Sequence, residues 1–146
     1  MSRTLIITAN SSCARILESH HDNNLLTEIE TLLDTAVRLR DQDLVSDKSG
    51  RQNNGKGSTS SHGVNEHHER KHQHHKQFAH SVVEAIERAD NKRPFDALYI
   101  IAAPEFLGSI RKKLSTTTYK KVKGQISKNI THDSLEKIRS YLPKKL

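Results

Sequence analysis

The chain is 146 residues long, with a formal net charge of +7 and a hydrophobic fraction of 33%. That length suits about one domain, but the apolar content falls short of the ~45–50% usual for soluble domains, which points to a folded domain carrying a long polar insertion. A lone cysteine, Cys13, excludes an internal disulfide, and the apolar run Leu5–Ile7 is shorter than a secretory signal (~7–15 residues) or a membrane span (~20). Together these features predict one cytoplasmic domain over residues 1–146.

Thr4–Ala9 is apolar and β-branched and predicts a buried strand. Asn10, Ser11 and Ser12 are turn formers leading into a hairpin partner over Ala14–Glu18, and His21–Asn24 leads into a third strand over Leu25–Leu32. Cys13 reads as a small residue in the first turn rather than a nucleophile. From Ser46 to His67 the chain is dense in Ser, Gly, Asn and Lys without apolar period, predicting a mobile polar loop. From His68 onward, Phe78, Val82, Val83, Ile86 and Ala89 recur at helical spacing, and the helix is expected to end before Pro94. Ala97–Ala102 carries the strongest strand signal, with Pro104, Phe106, Leu107, Ile110 and Leu114 predicting a helix after it. A last strand is expected over Tyr119–Ile126, with Val122, Gly124 and Ile126 on one face, then a helix carrying Leu135, Ile138 and Leu142. The order βββ-α-β-α-β-α predicts an α/β fold, a mixed sheet of about five strands with helices on its faces.

Charge is spread unevenly. Residues 1–45 carry −3, residues 46–80 carry +3 with seven histidines, and residues 81–146 carry +7. A basic second half favours an anionic partner or else a solvated lysine-rich face. The densest run is Arg111, Lys112, Lys113, Lys120, Lys121 and Lys123, joined upstream by Arg70 and Lys71. Such side chains give salt-sensitive contacts to phosphate without reading sequence, so RNA or the ribosome fits and DNA sequence readout is not expected.

Three other strings invite chemistry. His68-Glu69-Arg70-Lys71-His72 matches HExxH, which on a helix aligns two zinc-binding histidines, and His75 extends the same face. Arg70 and Lys71 oppose a cation there, and the tract is crowded with histidines, so adventitious zinc or nickel binding by His68, His72 and His75 is the expectation, with no functional cofactor. Ala103–Gly108 ends the strongest strand, where helix amides hold anions, though Pro104 removes a donor and ordinary strand-to-helix punctuation is favoured. Asp41, Asp43 and Asp47 are spaced unlike a calcium loop and read as caps and turns.

The run Arg40-Asp41-Gln42-Asp43-Leu44-Val45-Ser46-Asp47-Lys48-Ser49-Gly50-Arg51 resembles the RDxDLVSDRxGR stretch of the bacterial host attachment protein family. Three further stretches agree in order: the strand ending Ala9-Asn10, Phe95-Asp96 through Pro104-Glu105-Phe106-Leu107-Gly108, and Asn129-Ile130-Thr131-His132. Asn10 stands where the family usually has Asp, and the loop is richer in histidine than usual. The resemblance implies an RNase H-like fold, similar to the middle domain of archaeal and eukaryotic peptide release factors. It places the probe loop of those factors at about Ser46–His67 of this chain, without the GGQ tripeptide; Lys123-Gly124-Gln125 is a partial match inside a predicted strand. The expected function is therefore a ribosome- or structured-RNA-binding module in translation or its regulation. One alternative is an enzyme, a nuclease or tRNA-ester hydrolase, with metal or without, using residues such as Asp43, Asp47 and His68. Another is a regulator of, or participant in, attachment to host cells. Catalytic residues and oligomeric state stay open.

Overall fold

A computed structural model describes residues 2–20, 25–34 and 60–146, with residues 60–69, 71 and 72 described in their backbone alone. The apolar, β-branched opening forms β1 (Arg3–Ala9), in which every residue is buried. It pairs antiparallel with β2 (Cys13–His20), which pairs antiparallel with β3 (Leu26–Leu33). After α1 (Ser60–Lys92), strand β4 (Ala97–Ala102) pairs parallel with β1, from Thr4 opposite Ala97 to Ala9 opposite Ala102. Then come α2 (Pro104–Lys113), α3 (Thr116–Lys120), β5 (Val122–Ser127), parallel to β4, and α4 (Leu135–Ser140). The five strands lie in the order β3-β2-β1-β4-β5. A central strand buried on both faces needs cover on both. Phe78, Val82 and Ile86 of α1 and Phe106 and Ile110 of α2 pack with Leu5, Ile7, Ile16 and Ile100 on one face. Ile130, Ile138 and Leu142 pack with Ile6, Leu17 and Ile101 on the other.

The expected α/β class, strand order along the chain and apolar faces are observed, with four corrections. Helix α1 starts at Ser60, so residues 60–67 are helical rather than part of a loop, and the histidine-rich tract lies on a helix. Its C-terminal half is anchored by apolar contacts, and good formers such as Glu66, Glu69, Arg70, Lys71 and Gln73 then propagate the helix without repaying nucleation. The expected loop residues 46–59 and the turn at 21–24 lie outside the described residues. Tyr119 belongs to α3, not a strand, because the Ser115 hydroxyl caps that turn by accepting from the Thr118 amide at 3.2 Å. The faces of β5 switch. Leu98 pairs with Val122 but Tyr99 with Gly124, and across this bulge Val122 joins the α1–α2 side while Ile126 joins the other. A Cβ on Gly124 would sit 2.8 Å from the Tyr99 ring, so the bare glycine lets that ring lie against β5. Finally, α4 closes at Ser140, and Leu142 is buried beyond it.

One ion cluster locks the start of β1. Arg3 Nε donates to Glu18 Oε1 of β2 at 2.6 Å, with both side chains at least nine-tenths buried. The same guanidinium donates to the carbonyls of Ala89, at 3.4 Å, and Arg93, at the end of α1. The backbone of Arg3 donates to Asp96 Oδ2 at 2.8 Å and accepts from the Asp96 amide at 2.9 Å. His20 and Arg93 also approach Glu18, each at 3.5 Å. Burial pushes the Glu18 carboxyl up, but the hydrogen bond and charge of Arg3, with His20 and Arg93, outweigh it and hold the group below its ordinary value. A depressed carboxyl stabilises the fold above its unfolded pKa of ~4.3, and the contribution is lost as pH falls through the folded value. Glu18→Gln is expected to lower stability by about 3 kcal/mol at pH 7, since it leaves Arg3 buried without a counter-charge. Urea melts at pH 7, 4 and 3 should show the gap to the unsubstituted protein narrowing with acid; a gap constant across that range would contradict the assignment.

Candidate functional site

Parallel pairing brings the C-terminal ends of β1, β4 and β5 to one edge of the sheet, where open α/β sheets form ligand crevices. A cleft of about 750 Å³ lies there, lined by Asn10 and Ser11 after β1, Ala103 to Phe106 and Ser109 around the start of α2, Asn129 after β5, and His75 and Lys76 from α1. Each element delivers its residues for a local reason. Asn10 Oδ1 accepts from the Ser12 amide (2.9 Å), the Ser12 hydroxyl (3.0 Å) and the Cys13 amide (2.8 Å), which closes the β1–β2 turn. Its Nδ2 then points to Asn129 Oδ1 at 3.3 Å, which also accepts from the Thr131 hydroxyl at 3.4 Å, tying the two strand ends together. Helix α2 opens with Pro104 at its first position and Ala103 as a cap with no side-chain hydrogen bond. Glu105 occupies its first turn, where the macrodipole favours a negative charge.

The set offers hydrogen-bonding groups held in fixed positions. Asn10 is a neutral carboxamide whose Oδ1 already accepts three hydrogen bonds, and the Ser109 hydroxyl is turned back onto the Glu105 carbonyl at 3.2 Å. Glu105 is the one carboxylate lining the cleft among the described residues. Cys13, the buried first residue of β2, lies behind the turn. Burial raises its thiol above the ordinary value, a rise that Glu28 reinforces and Arg15 opposes, so it stays protonated and weakly nucleophilic near neutral pH.

The basic residues divide. Arg111, Lys112 and Lys113 occupy the last turn of α2, exposed, where they also complement the helix dipole. Lys113 shares a groove of about 420 Å³ with Lys76, Gln77, His80 and Ser81 of α1, and Lys76 lines both this groove and the cleft. Lys120, Lys123 and Arg70 are exposed on α3, β5 and α1. Lys121 is a correction. Its ammonium lies 2.9 Å from both oxygens of Asp90 and 4.9 Å from the Phe95 ring centroid, so it is spent on the α1–β4 junction and not offered to an anion. Of the histidines expected to hold zinc or nickel, His75 reaches the cleft, while the side chains of His68 and His72, like that of Lys71, lie outside the described residues. Among the described residues no group of three or more His, Cys, Asp or Glu side chains is placed to hold a metal ion. The motif Arg40, Asp41, Asp43, Leu44, Val45, Ser46, Asp47, Gly50 and Arg51 also lies outside them, and with it the catalytic candidates Asp43 and Asp47.

A family model described as "Protein required for attachment to host cells" matches residues 5–142. The chain belongs to that family. This chain is similar to a solved Ppx/GppA phosphatase from Aquifex aeolicus at 11% identity and a TM-score of 0.45. The match covers 86% of this chain and 36% of the phosphatase, so the chain spans about a third of that protein's length. No curated protein matches the sequence. Among the described residues no helix is long and apolar enough to cross a membrane.

The turn geometry fixes what the site tolerates. Asn10→Asp retains the three accepted hydrogen bonds, and a turn of the Asn129 amide restores the fourth contact, so its stability is expected to stay within about 0.5 kcal/mol of the parent. Asn10→Ala strands two amides and should cost about 2 kcal/mol. Thermal melts of both variants test this, and equal losses in the two would refute it.

Proposed function

We propose that the protein is a binding module for RNA, docking on ribosomes or structured RNA in the cytoplasm and acting in translation or its regulation. The observation that carries this reading is the cationic path through Lys76. From the cleft it runs along the seam of α1 and α2 to Lys113 and then to Arg111 and Lys112, with Lys120 and Lys123 exposed on the elements that follow. A backbone of regularly spaced phosphates is the ligand such a path suits, because each lysine releases counterions on contact without needing a fixed base. The carboxamides of Asn10 and Asn129 and the apolar faces of Pro104 and Phe106 offer a recess for one exposed nucleotide.

The strand order, with β2 alone reversed, supports the RNase H-like arrangement and the release-factor-like frame that the resemblance implies. Peptidyl-tRNA hydrolysis of the release-factor kind is not part of the proposal, since Gly124 and Gln125 belong to β5. The family's description fits as a phenotype, which a translation regulator reaches by controlling the messages for surface factors.

Co-sedimentation of the nucleic-acid-free protein with ribosomes across a salt series tests the proposal. Binding should fade with salt, and Lys76→Gln with Lys113→Gln should make the slope of log Kobs against log salt shallower by roughly two, about one per lysine. An unchanged slope would remove the path from the argument, and no binding at low salt would sink the RNA reading.

A further inference from the structure

A second groove lies at the other end of β1, between β3 and the last turns of α1. It encloses about 400 Å³ and is lined by Arg3, Ile29, Glu30, Arg88, Ala89, Lys92 and Arg93. Its charge is lopsided among the described residues. Arg3 is spent on Glu18, which Arg93 also approaches at 3.5 Å, and Glu30, the one acidic residue they contribute to the lining, lies 3.4 Å from Arg88. Arg88 and Arg93 keep 63% and 64% of their side chains in solvent, and Lys92 is exposed too. A strand edge runs beside these cations. Among the described residues β3 is the outermost strand, and its pairing with β2 slips between Leu17–Glu28 and Ile16–Glu30, which leaves Ile29 unpaired across the β2–β3 ladder and 42% exposed. Leu33, further along the edge, is 55% exposed.

We infer that this edge is a docking surface for an extended acidic segment of a partner protein, one in which acidic and apolar residues alternate. Its main chain would pair with the outer edge of β3, as in strand addition, and successive side chains would then fall on opposite faces. The acidic set meets Arg88, Lys92 and Arg93 on the α1 side, and the apolar set meets Leu33 on the other. Ile29, standing at the bulge, supplies apolar floor beside the arginines. Charge complementarity selects this occupant over a second copy of the chain. A second copy would offer its own β3, whose Glu28 and Glu30 are already engaged by Arg15 and Arg88 and so bring no unengaged acidic groups to these cations. RNA suits the site less well, since among the described residues no aromatic side chain lines the groove, and a row of main-chain donors and acceptors is matched by another main chain.

The test is anisotropy of a fluorescein-labelled octapeptide of alternating glutamate and valine, titrated with the full chain. Saturable binding is expected, weakened at least tenfold by Arg88→Gln with Lys92→Gln. The same removal of charge by Lys144→Gln with Lys145→Gln should leave it unchanged. Amide resonances over Leu26–Leu33 should shift on binding, and circular dichroism should show both variants folded. The inference is overturned by no binding, by equal weakening in the two variants, or by shifts confined to other strands. It is also overturned if octauridylate displaces the peptide and depends on Arg88 and Lys92 itself, or if sedimentation shows a dimer that buries β3. The RNA reading through Lys76 and Lys113 stands or falls separately, because neither residue lines this groove.

Discussion

Arg3 is where the sheet and its longest helix are joined. One guanidinium reaches β2 through Glu18 and the end of α1 through two carbonyls, while the backbone of the same residue holds Asp96 at the entry to β4. Removing one member of such a buried pair costs more than forming the pair contributes, because the remaining charge is left without water or partner. The clamp also acts at a distance. Ala89 fixes the end of α1, and at ~1.5 Å per residue Lys76 stands roughly 20 Å back along the same rod. The clamp thus adds, from the opposite end of β1, to the packing of Phe78 and Val82 that seats the residues α1 contributes to the cleft.

The second face of the sheet is tied by a comparable device nearer the surface. Arg15 of β2 holds Glu28 of β3 with two contacts of 3.1 Å and donates to the carbonyls of Thr131 and Asp133, at 3.0 and 2.8 Å. That bond set fixes the segment between β5 and α4, and Asn129 at its start is thereby presented to the cleft. The hydrogen bonds of Arg15 and Thr31 hold the Glu28 carboxyl below its ordinary range, so acid loosens this tie in the same direction as the one at Glu18.

What was legible in the sequence follows from how local the cause is. β4 lies where its apolar run predicts, over Ala97–Ala102, because burial on both faces leaves no competing pattern. The start of α1 was not legible, since a helix extended from an anchored half needs no apolar period of its own. Nor was the switch of faces in β5, which comes from a bulge against β4 that alternation along one strand does not encode. The same limit applies to the site. Asn10 and the stretch from Ala103 to Gly108 stood out as turn and strand-end chemistry, and Asn129 only through the family resemblance. His75 drew attention as a metal ligand, and Lys76 and Ser109 carry no local signal at all. Lysine spacing likewise could not separate Lys121, held by Asp90 and Phe95, from exposed Lys120 and Lys123 on either side.

The parallel pairing of β1 with β4 joins residues as far apart as Thr4 and Ala97. During synthesis β1 and β2 form a hairpin early, but the other edge of β1 has no mate until Ala102 has been made. For that interval a strand with the apolar centre Leu5–Ile7 presents open hydrogen-bonding groups to its surroundings, the condition under which nascent chains pair with the wrong neighbour. Closing the middle of the sheet across so long a stretch of chain is slow compared with forming its hairpins or helices. Until the second half emerges, that edge is the part of the sheet most open to mispairing.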